Sequence, residues 1–170
     1  MPSIVSSKAV KGLLSVALIA SIALISAAIF TEKTFYVERV IEAPPDRIWR
    51  ILMDTRGYRD WNPVFVSIDG SYEEGARLTN SVRFPDASIV TMEARVRALI
   101  AEKEIRQSGG TPGLLSFDHR WLLEPVDGGT LVSMHEVDRG IWLWFWDSSW
   151  ILPAYESVLD ALERRIEEQT

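Results

Sequence analysis

Residues 115–138, LSFDHRWLLEPVDGGTLVSMHEVD, decide the architecture. Two apolar-rich runs flank Gly128-Gly129, which spells a tight antiparallel hairpin. With the two glycines as turn residues, Asp127 pairs with Thr130. Leu123 then faces Met134, Trp121 faces Glu136 and His119 faces Asp138, all on one side of the ribbon. The other side carries Leu122 with His135, Arg120 with Val137, and Asp118 with Arg139. That last pair suits a solvated face, so His119, Trp121, Leu123, Met134 and Glu136 are expected to point inward. A slip of one residue would turn one strand over.

Working outward, the alternation continues upstream. Val64–Ile68, Ala76–Phe84, Ser88–Ile100 and Glu102–Gln107 read as strands, separated by Asp69-Gly70, Pro85-Asp86 and a bend near Ala101. In the third, Val90, Met92, Ala94, Val96 and Ala98 share one face, while Thr91, Glu93, Arg95 and Arg97 share the other. This is a half-buried antiparallel strand. Ser108–Gly113 reads as a flexible loop. Earlier still, Thr34–Ile41 alternates as a strand and Ala43-Pro44-Pro45-Asp46 breaks it. Ile48, Trp49, Ile51 and Leu52 then recur at helical spacing, and a second short helix covers Tyr58–Trp61 before Asn62-Pro63 stops it.

Downstream, a long helix starts at Asp147 or Pro153 and ends at Glu168. Tyr155, Val158, Leu159, Leu162 and Ile166 form its apolar stripe, and Asp160 is spaced to pair with Arg164. Such a stripe, following an antiparallel run, is buried across the sheet, which makes the domain α+β.

The N-terminal end is of another kind. Gly12 to Phe30 carries no charge and no proline. Nineteen helical residues reach about 28 Å, close to the hydrocarbon thickness of a bilayer. The chain therefore divides into a short tail (1–11), a transmembrane helix (12–30) and one α+β domain (31–170). A cleaved leader is the competing reading, since Ser26-Ala27-Ala28 resembles a cleavage site, but the apolar run is longer than leaders use. Lys8 and Lys11 before the span favour a cytoplasmic N-terminus with the domain on the extracytoplasmic side. Beyond the span stand 16 basic and 24 acidic residues, a net charge of −8. That balance opposes nucleic-acid binding and attraction to anionic lipid, leaving the helix to tether the protein. The chain has no cysteine and two histidines, a set that offers no metal site.

Two stretches carry a family resemblance. One is Ile41-Glu42-Ala43-Pro44-Pro45-Asp46-Arg47-Ile48-Trp49, then Asp54, then Tyr58-Arg59-Asp60-Trp61-Asn62-Pro63. The other is His119-Arg120-Trp121-Leu122-Leu123-Glu124-Pro125, followed by Gly128-Gly129-Thr130, Glu136 and Gly140. In this order they resemble the START-like, or SRPBCC, superfamily and its polyketide cyclase/dehydrase-like branch, over residues 34–168. The resemblance implies a helix-grip fold: two short helices after the first strand, and six or seven curved antiparallel strands wrapped around the long terminal helix, with a cavity between. It also implies a small hydrophobic ligand, such as a lipid, a quinone or a polyketide-like molecule, and no cofactor. Met134 stands where family members often carry histidine.

Candidate cavity residues are Val90, Met92 and Ala94 from the half-buried strand, and His119, Trp121, Leu123, Met134 and Glu136 from the hairpin. Tyr155 and Leu159 of the helix and Trp142 join them, as do Trp49 and Trp61, which also suit the core. His119 with Glu136 is the acid/base-like pair, open either to proton transfer or to orienting a ligand. Trp142, Trp144, Trp146 and Trp150 lie within nine residues. They suit a roof over the cavity, a seat in the headgroup layer, or plain helix–sheet packing. Three functions follow from these features: a membrane-anchored binding or transfer module, a cyclase, dehydratase or hydrolase using His119 and Glu136, and an interaction module that docks a membrane protein through Trp142–Trp150.

Overall fold

The computed structural model describes residues 7–169. Helix α1 (Ser7–Phe30) is followed after one residue by β1 (Glu32–Ile41), α2 (Pro45–Met53) and the single turn α3 (Tyr58–Trp61). Then come β2 (Phe65–Asp69), β3 (Arg77–Arg83), β4 (Ile89–Ile100), β5 (Glu104–Thr111), β6 (Leu115–Val126) and β7 (Gly129–Arg139). A 3-10 turn (Ile141–Trp144) leads into α4 (Ile151–Glu168). The expected tail over 1–11 is cut by this boundary: residues 1–6 lie outside the described residues, and 7–11 already belong to α1.

The seven strands form one antiparallel sheet in the order β1-β7-β6-β5-β4-β3-β2, curled into a half-barrel and open between β1 and β2. This is the α+β helix-grip arrangement, with α4 in the grip. Its stripe of Tyr155, Val158, Leu159, Leu162 and Ile166 is buried against the concave face. The outward side of α4 meets β1: Arg39 binds Asp160, and also Glu163 at 3.2 Å and Glu156 at 3.6 Å. Asp160 thus goes to the sheet instead of Arg164, because Arg39 projects from the inward face of β1 to the rim of the helix.

Two local readings are corrected. The β6–β7 turn is Asp127-Gly128, with Val126 opposite Gly129, so pairing is displaced by two residues from a Gly128-Gly129 turn. His119 faces Glu136, Trp121 faces Met134, and Leu123 faces Val132. An even displacement preserves which face each side chain occupies, so the inward set survives. Gly129 belongs to the strand because β1 passes close by: a Cβ there would lie 2.1 Å from the Ile41 carbonyl oxygen. On the outer face, Asp118 binds Arg106 at 2.6 Å and Arg120 at 3.2 Å, while Arg139 takes Glu32 at 3.1 Å.

The second correction concerns residues 108–113. Gly109 and Gly110 are strand residues of β5, paired with Phe117 and Ser116. The ring of Phe117 covers Gly109, where a Cβ would come within 2.7 Å of it and 2.1 Å of the Glu93 carbonyl oxygen. The glycine is therefore a packing requirement, and the loop shrinks to residues 112–114.

Candidate functional site

Under the N-terminal half of α4 the grip is hollow. A cavity of about 270 Å³ lies between α4, the Trp-rich segment and the concave sheet. For scale, an engineered apolar cavity of about 150 Å³ accepts benzene. Its vault is apolar: Phe65, Val82, Phe84, Met92, Phe117, Trp146 and Trp150 contribute, with Ile151 from the start of α4. Val90 and Trp142 are the exposed members of the wall, 43% and 51% accessible, and so mark the mouth. A wider cleft at the other end of α4 is lined by Glu42, Arg47, Asp127, Glu163 and Glu167. Its charged wall makes it a solvated surface feature and no place for a hydrophobe.

One band of the cavity wall is polar. Glu136, His119 and Gln107 are successive register partners on β7, β6 and β5, so they lie in a row across the strands. Asn80 of β3 extends the row, its Nδ2 donating to Gln107 Oε1 at 3.1 Å. From above, the Tyr155 hydroxyl of α4 donates to Glu136 Oε2 at 2.7 Å. His119 Nδ1 lies 3.2 Å from Glu136 Oε2 and 3.3 Å from the Tyr155 oxygen. With the tyrosine proton committed to Glu136, Nδ1 meets acceptors only and carries the ring proton. The ring itself is held by Phe65, Tyr155 and Trp121 at centroid distances of 5.6, 5.4 and 6.1 Å. His119 Nε2 and Asn80 Oδ1 are buried without a hydrogen-bond partner.

Asp138, two residues beyond Glu136 on the same face of β7, completes the polar end. Burial, followed by the neighbouring Glu136 carboxyl, pushes its pKa up to about 8, against the pull of Lys33 opposite on β1. Burial and then Glu136 also raise the Tyr155 phenol well above its ordinary range. The site thus offers a carboxyl protonated near neutral pH, a second carboxyl holding two donors, and an oriented imidazole. That set can bind a hydroxyl or carbonyl group, or move a proton to and from one.

Of the residues expected at the cavity, Val90, Met92, His119, Glu136, Trp142 and Tyr155 line it. Seven others are elsewhere. Trp121, Leu123, Met134, Ala94 and Leu159 point inward but belong to the solid core, where the aliphatic part of the α4 stripe closes on the sheet. Trp49 and Trp61 pack half-buried against that core, and Trp61 also lines a small pocket with Arg50 and Arg165. Face parity alone does not say where along a strand the helix ends its contact. Asn80 and Gln107 went unread; each is a polar residue within a strand pattern, and that interruption was the available signal. Trp146 and Trp150 stood in the sequence as one of three open readings. In the structure, Trp142, Trp146 and Trp150 line the cavity, and Trp144 does not. No group of three metal-ligating side chains occurs among the described residues.

Comparison with known proteins fits this geometry. Residues 32–167 match the family described as polyketide cyclase / dehydrase and lipid transport. An uncharacterized protein from Rhizobium leguminosarum superposes with a TM-score of 0.66 at 20% identity, over 81% of this chain and 96% of its own. A protein from Chromobacterium violaceum gives 0.65 at 18%, over 79% and 96%. The di-domain ARO/CYC StfQ from the steffimycin biosynthetic pathway gives 0.66 at 11%, over 81% of this chain and 51% of that one. At these identities the likeness is one of fold. No match is found among curated proteins.

Proposed function

The chain belongs to the polyketide cyclase / dehydrase and lipid transport family, and on that footing we propose that it is a membrane-anchored binding or transfer protein for a small hydrophobic ligand. The observation that carries this reading is the half-hollow grip: an apolar vault of about 270 Å³ over a single polar band. An aliphatic or aromatic body would occupy the vault, and one hydroxyl or carbonyl group would meet Glu136, Asp138 and His119. Mass spectrometry of organic extracts of the purified full chain should reveal a co-purifying hydrophobe carrying such a group. Repeatedly empty preparations that also ignore fluorescent lipid analogues would overturn the reading.

The anchor is α1, whose stretch Val10–Ala27 has a mean hydropathy of 2.1 and is wholly unburied by the rest of the chain. The N-terminus is assigned to the cytoplasmic side and the domain to the other. Protease added outside intact spheroplasts should then digest the domain, and protection there would reverse the orientation.

A second reading, cyclase- or dehydratase-type catalysis, is favoured by the Tyr155–Glu136–His119 contacts. Under it, His119→Gln abolishes turnover of the co-purifying compound while affinity stays within several-fold. Unchanged turnover would remove His119 from any chemical step.

A further inference from the structure

The Trp-rich segment is exposed on one side and tied to the membrane helix on the other. Trp142, Trp144 and Phe145 are 51%, 45% and 75% accessible, and Leu114 beside them is 50% accessible. The Trp144 indole Nε1 donates to the Thr31 hydroxyl at 2.8 Å, and that hydroxyl donates in turn to the Ala27 carbonyl of α1 at 2.8 Å. The Gly140 amide also binds the Thr31 carbonyl at 3.1 Å, and the Trp142 amide binds the Leu114 carbonyl at 2.9 Å. The aromatic lip is thereby fixed at the level where α1 ends.

That level can be placed. Thr31 directly follows the apolar run and stands four residues past Ala27. At about 1.5 Å per residue it lies no more than about 6 Å beyond the hydrocarbon. The headgroup layer is roughly 5–8 Å deep on each side, so a side chain bonded to Thr31 sits within it. Indole rings are favoured at that depth, with the apolar body towards the chains and the N–H towards polar partners. The charges around the lip are balanced and already engaged. Glu32 binds Arg139, Lys33 binds Ser148, and Asp147 accepts the Ser149 amide. Trp142 belongs to both the lip and the cavity wall.

Resting on the anchored, cavity-binding reading above, we propose that Trp142, Trp144 and Phe145 form a lip seated in the lipid headgroup layer, through which the cavity takes its ligand directly from the bilayer. The partner is the lipid surface itself. Because no basic excess surrounds the lip, seating is equal on zwitterionic and mixed anionic membranes.

The test uses the full chain reconstituted in phosphatidylcholine vesicles, with and without bromine on the upper acyl chain. Tryptophan emission should be partly lost in the brominated vesicles, and the Trp142→Phe/Trp144→Phe double variant should abolish most of that loss. Adding phosphatidylserine should leave it unchanged. A fluorescent fatty acid preloaded in the vesicles should reach the cavity about tenfold more slowly in Trp144→Ser/Phe145→Ser, since neither residue lines the wall and burying one aromatic side chain is worth about that factor. Its equilibrium affinity should not change. Equal emission in both vesicle types, quenching that survives the double variant, or unaltered transfer in the serine variant would each overturn the proposal. Failure of the fatty acid to bind by any route, with quenching intact, would instead remove the cavity reading and leave the lip standing.

Discussion

Asp138 is the residue whose behaviour is easiest to separate from its neighbours. Burial and then Glu136 raise its carboxyl to about 8, whereas an unfolded aspartate titrates near 3.9. Between those values the folded chain holds a proton that the unfolded chain has released. The group's stabilising contribution is therefore complete below about pH 4 and lost as pH rises to about 8. Asp138→Asn should remove that dependence, so its thermal midpoint gains on the wild type between about pH 5 and about pH 8. Parallel pH profiles would show that the proton is not held there. The same stretch shows how far single residues could be read beforehand. His119 and Glu136 were legible because alternation fixes a side chain's face, and they did end adjacent at the cavity. The neighbouring inward Trp121 and Met134 were indistinguishable from them by that criterion, yet they fill the core.

At the scale of elements, boundaries followed periodicity closely. Tyr58–Trp61 and the C-terminal end of α4 at Glu168 fall where the pattern put them. Register and loops did not follow, because several turn-competent glycines compete and only a tertiary contact chooses among them. Gly128 and Gly129 differ in that β1 crowds the second. Gly109 lies in a stretch whose composition spells a loop, yet it is strand for the same reason: the Phe117 ring packs onto it across the ladder. Gly109→Ala should cost about 1–3 kcal/mol in chemical denaturation, since backbone on one side and a ring on the other prevent relief. A neutral effect would mean β5 can shift. The clamp between β1 and α4 is weaker. The carboxylates meeting Arg39 are 38–51% exposed, so Arg39→Ala should lower stability by about 1 kcal/mol or less, and high salt should shrink the difference.

Across the whole molecule, the apolar helix, the antiparallel strands and the terminal helix are visible in hydrophobic patterning. The curl of the sheet and the hollow are not, because a filled and an unfilled grip share the same amphipathic stripes; only the family resemblance implies them. In the structure the hollow lies at the start of α4, where Ile151 and Tyr155 line it and the Tyr155 hydroxyl is engaged by Glu136, while Val158, Leu159, Leu162 and Ile166 further along are buried in the core.

One residue separates the end of α1 from the start of β1; its hydroxyl accepts from the Trp144 indole and its carbonyl from the Gly140 amide. There is no slack at this joint. A domain on a long leash samples every bearing; with α1 held in a bilayer, as proposed above, this short joint would confine the domain to a narrow range of headings, and a few Gly-Ser residues inserted after Thr31 would set it swinging.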